Sequence, residues 1–246
     1  MVISDMIEKK IHWIWLSGDP LTPLVKKCIA SWKKHCPDYE IILWNTKNFD
    51  VNGNIFCRQA YESKKWAFAS DYIRLYVLYH HGGIYLDSDV EITKNLDSFM
   101  SLPSFVCFES DVGISAGLIG AQKRNEWIKK QLAYYDTATF IKQDGKFDYL
   151  VNPIILAKVT KKNYTDFKLN NQEQHFEHFS VYPRDYFSPI DIDSKKLKVT
   201  NNTHAIHHFV TIWDPNPPFI KKIKYLIRRL LGNKILTKYR KIKYKL

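Results

Sequence analysis

Residues 67–92 read AFASDYIRLYVLYHHGGIYLDSDVEI, and this stretch decides how the rest of the chain is interpreted. Its first part is mostly apolar and stops at Gly82-Gly83, a pair typical of a helix end because glycine accepts the left-handed backbone conformation. The apolar run that follows predicts a short buried strand, which breaks at the acidic triplet Asp87-Ser88-Asp89. A helix that runs directly into such a strand is typical of α/β structure.

The two carboxylates of the triplet are a candidate metal site. In an extended strand, residues two apart face the same way, so Asp87 and Asp89 are expected to reach one hard cation together. Such a cation would bridge the two phosphates of a nucleotide diphosphate and stabilise charge on the leaving phosphate. The same triplet also occurs in solvated turns. The residues around it therefore have to distinguish a metal site from a solvated turn.

The helix before the triplet carries two charged residues in an otherwise apolar stretch. Asp71 and Arg74 are three residues apart and therefore share one helix face. Charged groups in such surroundings are rarely left unpaired. Two interpretations stay open: a structural ion pair, or two side chains that point into a donor pocket and bind sugar hydroxyls.

The flanking segments predict a parallel α/β unit. KIHWIWLSG (10–18) is typical of a buried first strand, Thr22 is suited to cap a helix with Pro23 at its first position, and YEIILWN (39–45) predicts a second strand. Residues 50–63 are expected to be irregular. Further strands are predicted in 104–110, 113–121, 178–183 and 203–213, and further helices in 124–136 and 148–161.

The positive charge lies in the last 28 residues. The chain of 246 residues has 37 Lys+Arg and 25 Asp+Glu, and 11 of the basic residues with none of the acidic ones follow Pro218. Two domains are therefore predicted, a nearly neutral body (1–218) and a basic amphipathic helical tail (219–246). Such a helix favours peripheral contact with an anionic membrane, with packing on the protein's own surface as the alternative.

Several classes of protein fit the sequence poorly. A neutral body without a known reader motif disfavours nucleic-acid binding. The four cysteines lie in no C-x-x-C pair, so reduced thiols are expected rather than a zinc site or a disulfide framework. No apolar run is long enough to span a membrane, and the N-terminus lacks an apolar targeting core. The expected location is the cytoplasm, peripheral at the inner face of a bacterial membrane.

The segment 67–92 resembles the sugar-binding region containing the DXD motif of family 32 glycosyltransferases. That family includes yeast-type initiating mannosyltransferases and bacterial capsule and polysaccharide enzymes, and clostridial glucosylating toxins share its core. The opening strand (10–18) and the histidine-rich segment (204–213) are similar to the family's first and closing strands. The resemblance implies a GT-A-type α/β fold, in which helices flank a mixed, mostly parallel central sheet, and a retaining transfer from a nucleotide-diphosphate sugar.

The resemblance also implies roles for single residues. Asp87 and Asp89 would hold Mn²⁺ or Mg²⁺, while Asp71 and Arg74 would bind the transferred sugar. Trp15 would stack on the base, as an aromatic face suits a nucleobase. Besides Asp71 and Arg74, the resemblance implies contacts with the nucleotide sugar from Ile14, Trp15, Tyr85, Ser88 and Trp213. Trp213 would close over the phosphates from a mobile loop.

Two adjacent histidines fall where related enzymes have a last metal ligand or phosphate contact. Alternation along a strand allows only one of His207 and His208 to face the metal, and the spacing to Trp213 favours His208. Neutral imidazole is a suitable ligand for Mn²⁺.

The sequence departs from the family at one place and leaves the mechanism open. Ser115, Ala116 and Gly117 stand where many relatives have an asparagine, so a sugar contact from that amide is in doubt. Glu109 and Asp111 are nearby acids that either contact sugar or acceptor or lie on the surface. No residue is an obvious nucleophile, which favours a path in which the leaving diphosphate helps to deprotonate the acceptor.

Donor and acceptor follow only in outline. UDP-hexose or UDP-N-acetylhexosamine is the expected donor, with GDP-mannose as an alternative, and the expected acceptor is a glycan or a lipid-linked sugar. Two further functions compete with transfer. A metal-dependent nucleotide-sugar hydrolase would use the same triplet, and a non-catalytic sugar-binding module would keep the fold alone.

Overall fold

The structure, a computed structural model, describes residues 6–210, 235 and 237–246. Within them the chain alternates strands and helices in an α/β arrangement. The strands are β1 (Lys10–Ile14), β2 (Glu40–Trp44), β3 (Gly83–Leu86), β4 (Val90–Ile92), β5 (Ser104–Ser110), β6 (Gly113–Ile114), β7 (Leu118–Ala121), β8 (Gln174–His175), β9 (Ser180–Tyr182) and β10 (Ala205–His207). The helices are α1 (Pro23–His35), α2 (Ile55–Glu62), α3 (Trp66–His81), α4 (Glu126–Ala133) and α5 (Asn152–Asn163), with short 3₁₀ turns between them.

Most strands form one mixed sheet in the order β2-β1-β3-β7-β5-β9-β8, with β6 paired to β5. Strand β1 runs parallel to β2 and β3, and β5 runs parallel to β9. Strand β7 is antiparallel to both of its neighbours, β3 and β5, so β3 and β5 point the same way. A separate antiparallel pair joins β10 to β4. The carboxyl ends of β1, β3, β5 and β9 therefore meet at one edge.

Two apolar cores lie on opposite faces of the sheet. Along β3, Tyr85 packs into the core with α2, α3, α4 and α5, whereas Ile84 and Leu86 pack into the core with α1. Along β5, Val106 and Phe105 divide between the two cores in the same way. This alternation is the period-two signature of a strand buried on both faces. It explains why both strands read as continuous apolar runs.

Local sequence explains where the predicted helices begin and end. The Thr22 hydroxyl accepts a hydrogen bond from the Val25 N–H at 3.3 Å, and Pro23 opens α1. Helix α3 covers the predicted stretch and ends at Gly82, whose φ of 65° is a conformation that favours glycine. The four cysteines are free and buried.

Three local predictions were wrong. Residues 50–63 hold α2, because the Asn54 side chain caps it by accepting from the Cys57 N–H at 3.1 Å. The strand predicted over 113–121 is interrupted at 115–117, where the chain bends around the edge of the sheet. The last strand is only three residues long.

The described part of the C-terminus is a helix over 237–244 that contacts the body. The Thr237 hydroxyl donates to Asp111 at 2.7 Å, and Arg240 forms a two-pronged ion pair with Asp193. The amphipathic pattern of 219–231 and the predicted boundary after residue 218 lie outside the described residues. Among the described residues, no helix is long and apolar enough to cross a membrane.

A buried histidine joins β1, β2 and the end of α3. The His12 Nε2 lies 2.8 Å from the Gly82 carbonyl oxygen, and its Nδ1 accepts from the Trp44 indole N–H at 3.0 Å. These partners require the neutral ring with its proton on Nε2, since a proton on Nδ1 would face the indole N–H. Burial accordingly lowers the pKa of His12 from 6.5 to about 4.

This histidine makes stability depend on pH. Above pH 6.5 it is neutral in the folded and unfolded states, and between pH 6.5 and 4 only the unfolded chain takes up its proton. We expect His12 to remove about 3 kcal/mol of unfolding free energy across this window. Urea unfolding of wild type and His12→Gln at pH 7 and 4.5 measures this contribution, and equal pH slopes for the two proteins would contradict it.

Candidate metal and donor-sugar site

The candidate site lies where the parallel strands end. Trp15 follows β1, Asp87 follows β3 and Glu109 lies at the end of β5, all at the same edge. In open α/β sheets, ligands bind outside the carboxyl ends of the strands. The topology thus brings three separated segments of the sequence to one side of the sheet.

The acidic triplet forms a tight turn between β3 and β4. The Val90 N–H donates to the Asp87 carbonyl oxygen at 3.0 Å, so the triplet is not extended strand and the alternation argument for its carboxylates was wrong. The turn nevertheless brings the two carboxylates together with His207. One ligand atom from each of Asp87, Asp89 and His207 lies within 4.8 Å of the other two.

Pairing of β10 with β4 selects the histidine. His207 lies opposite Val90, and its Nε2 is 3.4 Å from Asp89 Oδ1 and 3.7 Å from Asp87 Oδ2. His208 points elsewhere, with its Nε2 3.0 Å from Glu91 Oε2. The expectation that only one histidine faces the carboxylates holds, but the preference for His208 was wrong. The register of β10, which the sequence does not reveal, makes it His207.

The carboxylates strongly affect the buried ring of His207. Burial lowers its pKa, but Asp89 and Asp87 outweigh burial and raise the pKa to about 9. His207, the Val210 N–H and the backbone of Asp89 likewise hold the pKa of Asp89 below its usual range, against its own burial. The ring also stacks on Phe209 at 4.0 Å.

Arg74 connects α3 to this cluster. Its guanidinium is 4% exposed and forms an ion pair with Asp71 at 2.9 Å, while Asp87 Oδ1 is 3.5 Å away. It also donates to the Ala116 carbonyl oxygen at 2.7 Å and lies 4.8 Å from the centre of the Tyr85 ring. The structural ion pair predicted as one alternative therefore exists, and it adjoins the carboxylate cluster.

Negative charge exceeds positive charge at this edge. Burial, aided by the charges of Asp87 and Glu109, outweighs Arg74 and raises the pKa of Asp71 to about 7. Burial likewise raises the pKa of Glu109 to about 7, against the opposing effect of His207. Burial is the largest cause of both shifts, and the neighbouring carboxylates add to it.

The residues present fit a divalent cation. Two carboxylates and an imidazole within reach of one point are a ligand set that suits Mn²⁺ and also serves Mg²⁺ through the oxygens. His207 Nδ1 is buried without a hydrogen-bond partner among the described residues, whereas its Nε2 faces both carboxylates. A cation between Asp87, Asp89 and His207 would replace the proton that the carboxylates now hold on the ring.

The other predicted contacts lie around this cluster. The Tyr85 hydroxyl donates to Asp87 Oδ1 at 2.7 Å, so the buried Tyr85 holds the Asp87 carboxylate in place. Trp15 is half-buried and donates its indole N–H to the Asp19 carbonyl oxygen at 2.8 Å. Ile14 is buried at the end of β1, and Ser88 is partly exposed within the turn. Trp213 lies outside the described residues.

One residue that shapes the site was not recognised from the sequence. Gly117 lies where β7 begins, and a β-carbon there would come within 2.7 Å of the His207 ring and 3.2 Å of Asp87 Oδ2. Glycine at this position is therefore what allows the ring and the carboxylate to approach each other. The small residues Ser115-Ala116-Gly117 between two apolar runs were the sequence signal for this close approach. The prediction from sequence concerned only the asparagine side chain that these residues lack.

Comparison with known proteins agrees with this geometry. Residues 22–106 match the family model described as "Glycosyltransferase sugar-binding region containing DXD motif". Inositol phosphoceramide mannosyltransferase 3 of Schizosaccharomyces pombe is 30% identical over 133 residues, which are 51% of this chain and 36% of the relative. Mannosyl phosphorylinositol ceramide synthase CSH1 of Saccharomyces cerevisiae is 31% identical over 151 residues, 56% of this chain and 38% of the relative. The chain thus spans little more than a third of the length of these curated relatives.

A solved structure extends the comparison to the fold. The PaToxG glycosyltransferase superimposes with a TM-score of 0.54 at 22% identity, over 65% of this chain and 70% of that one. The predicted α/β glycosyltransferase fold, with helices on both faces of a mixed sheet, is confirmed. The matched residues 22–106 include Asp87-Ser88-Asp89, so the similarity to glycosyltransferase sugar-binding regions covers the acidic triplet itself.

Proposed function

We propose that this chain is a metal-dependent, retaining glycosyltransferase that moves a sugar from a nucleotide-diphosphate donor to a glycan or lipid-linked acceptor. The observation that carries the proposal is the cluster of Asp87, Asp89 and His207 next to the buried pair Asp71 and Arg74. A metal site directly beside a buried polar pair offers separate contacts for a diphosphate and for a sugar. A protein that only bound a metal ion would not need Asp71 and Arg74 beside the metal ligands.

Each group has a distinct task in this proposal. Asp87, Asp89 and His207 hold the divalent cation, which when bound acts as a Lewis acid on the leaving diphosphate. Arg74 and Asp71 bind hydroxyls of the transferred sugar, donating and accepting hydrogen bonds respectively. The Tyr85 hydroxyl and the Arg74 guanidinium fix the Asp87 carboxylate, so the metal ligand is oriented before the donor arrives.

The donor and the acceptor are proposed from the relatives and the site. The relatives' names concern transfer of mannose to inositol phosphoceramide, which favours GDP-mannose as donor over the UDP-hexoses and UDP-N-acetylhexosamines expected from the sequence. The same names favour a lipid-linked acceptor over a soluble glycan. A role in polysaccharide or capsule synthesis needs an acceptor of a different kind, so acceptor assays separate the two.

Contact with an anionic membrane is part of this proposal. In the C-terminal helix, Ile235, Tyr239 and Ile242 are spaced to share one face and are 59%, 62% and 70% exposed. Lys238, Lys241 and Lys245 accompany them, while Thr237 and Arg240 contact the body on the other side. An apolar stripe beside lysines suits a surface of anionic headgroups. A membrane-attached enzyme would meet a lipid-linked acceptor directly.

A nucleotide-sugar hydrolase is the competing function. It would use the same cluster but would need no acceptor. Metal-dependent release of free sugar at a rate that no acceptor increases would favour hydrolysis over transfer.

Removing one metal ligand tests the proposal. We expect Asp89→Asn to abolish sugar transfer and Mn²⁺ binding while the fold survives, because an amide oxygen neither carries the charge nor pairs with His207. Glu91→Gln is the matched control, since Glu91 is two residues along but binds Lys27 and His208 instead. Transfer, Mn²⁺ titration and circular dichroism are the measurements. Wild-type turnover by Asp89→Asn would refute the metal site.

Adding a methyl group beside the cluster tests its geometry. Gly117→Ala puts a β-carbon against the His207 ring, so the ring has to move away from Asp87 and Asp89. We expect Mn²⁺ affinity to fall about 10- to 100-fold, the range seen when groups supporting a ligand are lost. Gly53→Ala is the control, because a β-carbon there has ample space and meets only Asp50 Oδ2 at 4.0 Å. Unchanged Mn²⁺ affinity in Gly117→Ala would show that His207 is not a ligand.

Vesicle flotation tests the membrane contact. We expect wild type to float with vesicles containing phosphatidylglycerol and not with neutral phosphatidylcholine vesicles. Replacing Ile235, Tyr239 and Ile242 together by Asn should abolish flotation, since the apolar stripe is lost while Thr237 and Arg240 keep their partners. Equal flotation of wild type and variant, or none of wild type, would contradict the proposal.

A further inference from the structure

Glu109 lies at the edge of the sheet where the candidate site is. It lies near the end of β5, which runs parallel to β3, so it comes to the same edge as Asp87. The pairing of β5 with β6 shifts register between Phe108 and Ser110, which is a bulge centred on Glu109. Bulges interrupt the alternation of a strand and redirect a side chain, and they are frequent beside active sites.

Glu109 differs from the neighbouring acids in having no partner. Among the described residues it has neither a hydrogen bond nor an ion pair, whereas Asp71 is paired with Arg74. Asp111, two residues further along, is held by Arg184 at 2.8 Å and by Thr237. Glu109 is only partly buried, so its carboxylate is accessible to a ligand at this edge, whereas the carboxylate of Asp111 is occupied by its partners.

The surroundings of Glu109 define where that ligand would lie. The charged groups that act on it are Arg74 and Asp71 on α3, Asp87 and His207 in the cluster, and Lys195 from the loop after β9. It is therefore near both the proposed sugar contacts and the proposed metal ligands. The anomeric carbon of a bound donor joins the sugar to the diphosphate, so it has to lie between these two sets.

We propose that Glu109 is a catalytic residue whose carboxylate contacts the transferred sugar and stabilises positive charge at its anomeric carbon. This role rests on the proposed function. In the transfer, the bond from the anomeric carbon to the diphosphate oxygen breaks and its electron pair goes to that oxygen. The acceptor hydroxyl oxygen forms the new bond to the anomeric carbon, and its proton goes to the released diphosphate. Glu109 forms no covalent bond, and in its ionised form it supplies negative charge while the sugar is electron-poor.

The test compares Glu109→Gln, Glu109→Ala and Asp111→Asn with wild type. GDP-mannose and UDP-glucose with Mn²⁺ are the donors, and donor cleavage and transfer are followed separately. We expect Glu109→Gln to lower kcat about 100-fold or more with little change in KM for the donor, because the charge is needed in the transition state and not for binding. Asp111→Asn, which changes the nearest acid along the chain, should cleave donor as wild type does.

Binding and chemical rescue separate catalysis from folding. GDP binding in the presence of Mn²⁺ should be retained by Glu109→Gln, and added formate should restore part of the rate to Glu109→Ala but not increase that of wild type. A merely structural role predicts loss of GDP binding and no rescue, and that result would overturn the proposal. Wild-type kcat in both Glu109 variants would overturn it as well. A wild-type protein that cleaves and transfers neither donor would refute the proposed function, and the role of Glu109 would fall with it.

Discussion

The buried guanidinium of Arg74 is the interaction on which the site depends. One side chain contacts Asp71 on its own helix, Asp87 at the end of β3 and the Ala116 carbonyl oxygen in the bend before β7. Arg74 therefore links its own helix to the turn after β3 and to the bend before β7, and it is itself buried. A planar, permanently charged group with five donors can do this, whereas a lysine at the same position offers a point charge with a different geometry.

Around this cation the protein gathers more acid than it neutralises. Asp87 and Asp89 share His207, and burial, with the neighbouring carboxylates adding to it, raises the pKa of both Asp71 and Glu109. Such an arrangement costs folding free energy unless a ligand compensates it. A divalent cation with a sugar diphosphate is a ligand of that kind, because the cation balances the cluster and the sugar hydroxyls occupy the polar pair. The acids that are costly to bury are thus the groups to which the proposed function assigns a ligand.

Much of the fold and of the candidate site was predictable from local sequence patterns. The apolar helix α3, its stop at Gly82 and the position of the acidic triplet all follow from patterns within a few residues of each other. The approach of Asp71 and Arg74 to the triplet also follows, because the helix leads directly into the strand. Relations between distant segments were harder to foresee. The choice of His207 over His208 depends on the register of β10 against β4, and the helix at 55–62 depends on a single capping side chain, Asn54.

The central claim is that Asp87, Asp89 and His207 bind a divalent cation together with a nucleotide sugar. A thermal-shift screen of sugar nucleotides, each with Mn²⁺ and with EDTA, tests it most directly, since a ligand that binds only the folded protein raises its melting temperature. We expect that one sugar nucleotide stabilises wild type above the others, that the shift requires the metal, and that Asp89→Asn loses the shift. A shift of equal size in EDTA, or no shift with any sugar nucleotide in the presence of Mn²⁺, would contradict the claim.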